Sequence, residues 1–121
     1  MQSEQIRDLA VEALVDGKGQ DIETLDVRGM TDITDFMIVV TGTSNRHVKA
    51  LADRLLEALR EHDSRPLGVE GLEDGEWVLI DYADVVVHVM HQKAREFYDL
   101  ESLWNSDLRD AVVAQREGRG D

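Results

Sequence analysis

The sequence predicts an α/β domain: a mixed sheet of about five strands with helices packed on it. Three observations carry that expectation. At 121 residues the chain has the length of one domain. Its apolar periods follow the order helix, strand, strand, helix, three strands, helix. One run, Phe36–Thr41 (FMIVVT), is apolar and rich in β-branched residues without alternation, as expected of a strand buried on both faces.

Residues 4–16 have helical spacing through Ile6, Leu9, Ala10, Ala13 and Leu14, with Ser3 as the expected cap and Gly17 as the expected stop. Lys18-Gly19-Gln20 then makes a turn. Ile22, Leu25 and Val27 alternate imperfectly and are assigned to a first strand, followed by the loop Gly29-Met30-Thr31-Asp32. After Phe36–Thr41, Gly42-Thr43-Ser44 opens a helix over 45–62. Its stripe is Val48, Leu51, Ala52, Leu55 and Leu59, and most of its charges lie outside that stripe. Asp63–Pro66 breaks the helix. Leu67–Val69 is a short strand, and Trp77–Tyr82 and Val85–Met90 are the clearest strands of all. Residues 93–104 return to helical spacing through Ala94, Phe97, Leu100 and Trp104. The polar residues beyond Leu108 are expected to fray, so the domain is assigned to 1–108 and a flexible tail to 109–121.

Composition narrows the function. Lys and Arg number 13 against 26 Asp and Glu, a net charge of −13. Nucleic-acid phosphates reward the opposite balance, so direct nucleic-acid readout is not expected; a basic partner or plain solubility is. There is no cysteine, which excludes disulfides, thiolate nucleophiles and iron–sulfur clusters. The opening MQSEQIRDL has neither the basic nor the apolar region of a signal peptide, and no apolar run approaches a membrane span. The expectation is a soluble, cytoplasmic protein.

Residues 77–90 carry the most information. A tight turn at Tyr82-Ala83 would pair Asp81 with Asp84, Leu79 with Val86, and Trp77 with His88. Val78, Ile80, Val85, Val87 and Val89 would then form a wholly apolar face, while the other face would mix an indole, an imidazole and two carboxylates. Two readings of that mixed face stand. Either a helix covers it and its polar groups bond internally, or Trp77 anchors a basic partner within a ring of acids. From Asp63 to Asp84 there are seven acids, Glu70 among them, and one base, Arg65, which suits the second reading.

Motifs for catalysis are scarce. The sequence has no phosphate loop of the GxxxxGK[ST] type, no GxGxxG, no GxSxG and no HExxH. His88 and His91 fall three apart on a strand end, where such positions face opposite sides, so no metal site is assigned. Asp32 and Asp35 fit turn and capping roles. Gly42-Thr43-Ser44 could cradle a phosphate at a helix start, or Ser44 could simply cap that helix.

Longer stretches are more specific. DIETLDV (21–27), TDITDFMIVVTGTSNRHVKALAD (31–53), VEG (69–71), WVLIDYADVVVHVM (77–90) and REFYDLESLW (95–104) together resemble the ribosomal silencing factor family, the Iojap-related proteins. The resemblance covers nearly the whole chain. It implies a core resembling a small nucleotidyltransferase, no enzymatic activity and no cofactor. It also implies homodimers that bind the large ribosomal subunit through its ribosomal protein fourteen. Binding there would block joining of the small subunit and damp translation when nutrients are scarce. Under this reading the docking role falls to Trp77, Leu79, Asp81, Tyr82 and His88, with Glu70 and Asp84 as supporting charges. The helix bearing Phe97, Tyr98, Leu100 and Trp104 would be core or dimer contact. Ala83 stands where this family commonly has glycine.

The fold implied by the resemblance raises one alternative, a nucleotide-binding or degenerate nucleotidyltransferase-like regulator using Gly42–Ser44. Catalysis of that kind needs an Asp-x-Asp pair soon after the Gly-Ser turn, to hold two metal ions. Here the turn runs into NRHVKALADRLL with a single Asp53. No catalytic residue is therefore assigned.

Overall fold

The computed structural model describes residues 1–98. Their elements are α1 (Ser3–Asp16), β1 (Gln20–Asp26), β2 (Phe36–Gly42), α2 (Asn45–Arg60), β3 (Gly68–Glu70), β4 (Trp77–Asp81), β5 (Val85–His91) and α3 (Gln92–Tyr98). The five strands form one mixed sheet in the order β1-β2-β5-β4-β3. Only β2 and β5 run parallel, joined by a crossover through α2; the other three pairs are antiparallel. This is the α/β architecture expected, element for element over the described residues. The expected helical positions Leu100 and Trp104, and the expected tail over 109–121, lie outside them.

One face of the sheet packs on α1 and α2. Phe36, Ile38 and Val40 from β2, Val78 and Ile80 from β4, and Val85, Val87 and Val89 from β5 meet Ile6, Ala10 and Leu14 of α1 and the predicted stripe of α2. Val48, Leu51, Leu55 and Leu59 are fully or almost fully buried, each contributing roughly 1.5–3 kcal/mol before conformational entropy is subtracted. Ser44 caps α2 as expected, its hydroxyl accepting from the His47 N–H at 3.1 Å.

At α1 the ends differ from expectation. Gln2, not Ser3, is the cap, because the Gln5 side chain reaches back to accept the Gln2 N–H at 2.9 Å. Ser3 becomes the first helical residue. Gly17 does end the helix, but the left-handed residue is Lys18, at φ 65°. Gly17 gives space instead: a Cβ there would lie 2.7 Å from Leu51 Cδ2, so the buried Leu51 side chain would have to shift where α1 meets α2.

The β4–β5 register also differs. The observed partners are Trp77 with Met90, Leu79 with His88 and Asp81 with Val86. The turn sits one residue later than expected, at Ala83-Asp84, closed by the Tyr82 N–H donating to the Val85 carbonyl at 2.9 Å. Three interactions hold it there. Tyr82 stays in strand position because its ring is buried in the helix-side core. The Asp81 carboxylate accepts the Ala83 N–H at 2.7 Å. The Asp84 carbonyl accepts from the Asp35 and Phe36 amides, which moors the turn to the start of β2. Ala83 therefore takes φ 71°, and the Asp84 N–H donates to the Tyr82 carbonyl across it at 2.9 Å. A side chain in that conformation is strained by about 1–2 kcal/mol. Ala83→Gly is expected to stabilise the chain by about 1 kcal/mol net of glycine's extra unfolded-state entropy, measured by urea denaturation.

Candidate functional site

Partners across a sheet share a face, so the pairings place one row of side chains on the side away from α1 and α2: Glu70, Leu79, His88, Val39 and Glu23. Beside it run Trp77, Met90 and Thr41 on one side, and Asp81, Val86 and Met37 on the other. The register change kept this face together, since moving a pairing by two residues leaves every side chain on the same side. Trp77, Leu79, Asp81, His88 and Glu70 are thus brought together as expected. Tyr82 is not; it points to the helix-side core. Asp84 lies exposed in the turn.

At the centre is a Trp–His pair on diagonal positions. Trp77 Nε1 donates to His88 Nδ1 at 2.8 Å, with ring centroids 5.7 Å apart and planes tilted by 45°. His88 is 0% exposed, and burial pushes its pKa down to about 3. The ring is therefore neutral, and because Nδ1 accepts, the proton sits on Nε2, which has no hydrogen-bond partner among the described residues. Trp77 is half-buried. Asp81 is fully buried, and Leu79 packs with Val86 and Ile33.

The expected ring of accessible polar groups is therefore narrower than the sequence suggested. Leu79, Asp81, Tyr82 and His88 are buried, because β4 and β5 are interior strands whose side chains pack on both faces. Accessible area remains at Trp77, Glu70 and Asp84, and at the acids Glu73, Asp74 and Glu76 that lead into Trp77. Phe97 on α3 is 81% exposed. Tyr98 ends the described helix.

Tyr82 carries a buried hydroxyl with no hydrogen-bond partner among the described residues, and desolvation raises its pKa above the usual phenol value. A hydroxyl so placed costs stability. Tyr82→Phe is therefore expected to be neutral or to raise stability by up to about 1 kcal/mol in thermal or urea unfolding.

Two residues given no individual role in the sequence also shape the site. Arg95 of α3 is buried and donates to the Thr41 hydroxyl at 2.7 Å and to the Asp21 carbonyl, tying α3 to β1 and β2. His47 accepts the Thr43 N–H on Nδ1 at 2.9 Å, and its Nε2 meets the Gly17 carbonyl at 3.0 Å. The first of these contacts bears on Gly42-Thr43-Ser44. The Thr43 amide, which a phosphate cradle would use, is already bonded. The Arg95 contacts and the His47 contact with Gly17 are not readable from local sequence, since their partners lie 54, 74 and 30 residues away.

Among the described residues, no group of three or more His, Cys, Asp or Glu is placed to hold a metal ion, and no helix is long and apolar enough to cross a membrane.

Comparison with known proteins bears on this arrangement. A family model described as "Ribosomal silencing factor during starvation" matches residues 1–120. A ribosomal silencing factor of Chromobacterium violaceum is 51% identical over 104 residues, covering 86% of this chain and 85% of that protein. A crystal structure of a Chromobacterium violaceum protein superposes with a TM-score of 0.84 at 51% identity, covering 86% of this chain and 87% of the other. A mouse protein named "Mitochondrial assembly of ribosomal large subunit protein 1" is 30% identical over 111 residues, covering 89% of this chain and 49% of its own length.

Proposed function

The chain belongs to the ribosomal silencing factor family, and from that premise we propose that it represses translation by binding the large ribosomal subunit through ribosomal protein fourteen. The bound body stands where the small subunit must join, so translation is damped under nutrient limitation by occupancy alone, without catalysis or cofactor. The family match across residues 1–120 is the observation that carries this reading.

The charge supports it. A ribosomal protein is basic and surrounded by RNA phosphate, and a body of net charge −13 is attracted to the first and repelled by the second. On the docking face Trp77 supplies the aromatic anchor, with Glu70 and Asp84 as accessible charges. Leu79, Asp81 and His88 act from beneath and Tyr82 from the helix-side core, holding β4, β5 and their turn in place. The segment carrying Phe97, Tyr98, Leu100 and Trp104 serves as core or as the contact between copies in a homodimer. Residues 1–108 form the domain and 109–121 its tail, and the protein works in the cytoplasm.

The test is co-sedimentation with isolated large subunits, small subunits and joined ribosomes in a sucrose gradient. The expected result is comigration with the large subunit alone and fewer joined ribosomes after mixing. A chain that stays at the top of every gradient overturns the proposal. Trp77→Ala, and Glu70→Lys combined with Asp84→Lys, should each weaken large-subunit binding at least about tenfold while the fold persists, because anchors and facing charges dominate such interfaces. Unchanged binding by both would move the docking face elsewhere on the chain.

A further inference from the structure

Resting on the docking face proposed above, we infer that His88 is its positioning residue. The imidazole holds the Trp77 indole in one orientation with its N–H turned inward, so that a partner meets the indole through carbon. The partner group this suits is the stem of a basic side chain laid on the ring, not a hydrogen-bond acceptor.

Histidine is the exception where it stands. Its neighbours on this face of the sheet are Leu79 on β4 and Val39 on β2, across the strands, with Val86 and Met90 along β5. All four are apolar and buried. His88 is fully buried among them, and its Nε2–H has no hydrogen-bond partner among the described residues. A buried donor left unpaired costs stability, and a leucine here would pack on the same neighbours without that cost. Packing therefore does not account for an imidazole. What the ring supplies and a leucine cannot is one acceptor, Nδ1, which takes the Trp77 Nε1–H at 2.8 Å.

The geometry makes that bond an orienting one. Trp77 pairs with Met90, so His88 lies diagonally from it, two residues back along β5. An aromatic side chain reaches a diagonal neighbour by leaning along the sheet. Here the ring centroids are 5.7 Å apart with planes tilted by 45°. Nε1 sits at one edge of a rigid bicyclic ring, so fixing it fixes both side-chain torsions. It is also the one polar atom of an indole. With Nε1 turned to His88, the half-buried ring gives a partner carbon and its π face. Glu76, next to Trp77 in the chain, and Glu70, opposite Leu79, are exposed and favour a cation in the group that packs there. A ring already held loses less freedom on docking, and a side chain that must be ordered weakens association by about three- to tenfold.

The experiment compares the parent, His88→Leu, His88→Asn and Trp77→Ala as full chains, in thermal unfolding and in sedimentation titrations against isolated large subunits. His88→Leu fills the space but offers no acceptor. It should unfold at or above the parent's Tm yet bind about three- to tenfold more weakly. In His88→Asn, Oδ1 stands as far from Cα as Nδ1 did. That variant should lose Tm yet recover binding to within about twofold of the parent. The Trp77 indole N–H, followed by NMR in the free chain, should exchange slowly with solvent in the parent and His88→Asn, and fast in His88→Leu. Binding that follows Tm instead overturns the positioning role. So does parental binding by His88→Leu while Trp77→Ala binds weakly, an outcome that leaves the docking face standing. Tighter binding by His88→Leu also overturns it, by showing that the partner takes the freed N–H. Full binding by Trp77→Ala removes the docking face and this role with it. If His88→Leu does not fold, His88→Asn decides: recovered binding with slow indole exchange supports the role, and lost binding overturns it.

Discussion

Gly71→Ala will destabilise the chain by about 3 kcal/mol or more, combining the strain of a left-handed alanine with a backbone clash. Gly71 sits at φ 83°, and a Cβ built there would run into the Trp77 carbonyl oxygen, with the Trp77 carbonyl carbon 3.2 Å away. The obstacle is main chain at the start of β4, so no rotamer change removes it. Either the loop opens, losing the Gly75 N–H bond to the Gly71 carbonyl at 3.1 Å, or β4 shifts. A shift of β4 moves the Trp77 indole off His88, so large-subunit binding should fall with stability. Gly29→Ala is the control: φ is similar at 85°, but nothing lies within 4 Å of the added carbon. It should cost only about 1–2 kcal/mol, the conformational strain alone. Urea denaturation of the two variants measures the difference, and equal losses would show that the Trp77 carbonyl is not the cause.

What the sequence made legible here is what repeats locally. The stripe of α2 and the unbroken apolar run of β2 are periodic, and both elements formed within two residues of their expected ends. The imperfect alternation at Ile22 and Leu25 was also meaningful. A bulge between Gln20 and Glu23, with Asp21 at φ 48°, sends Ile22 to the helix-side core and Leu25 to the opposite cluster. The hairpin register was not legible, because its turn places alanine where the backbone favours glycine. No local rule announces a strained residue held in place by the mooring of Asp84 to β2 and the burial of Tyr82. The face of the docking residues could be read from alternation, but their burial could not, since burial depends on elements distant in sequence. The same is true of the Arg95 contacts and of the His47 contact with Gly17.

His88 should make the fold acid-sensitive in a window that its surroundings define. Buried and neutral, it accepts from Trp77 Nε1 and resists protonation down to about pH 3, whereas in the unfolded chain it titrates near the ordinary histidine value of 6.5. Between those values the unfolded state binds the extra proton, so stability is fully present above about pH 6.5 and falls as pH drops toward 3. The loss is on the order of 4 kcal/mol. Glu4 and Asp26 act in the same direction at lower pH. The backbone contact at Glu4 and the Arg28 guanidinium beside Asp26 hold both carboxyls below their usual range. An opposing effect comes from net charge: acidification relieves the self-repulsion of a chain at −13, which favours the folded state. Comparison with His88→Asn separates the two. Asparagine keeps an acceptor for the indole and leaves the repulsion almost unchanged, but it does not titrate. The variant should be less stable near pH 7, from lost packing, yet its stability should hold or rise between pH 6 and 4 as the self-repulsion is relieved, where the parent's declines. Urea midpoints at several pH values give both slopes. Parallel slopes would mean that His88 is protonated without penalty, and hence that water reaches Nε2 in the folded chain.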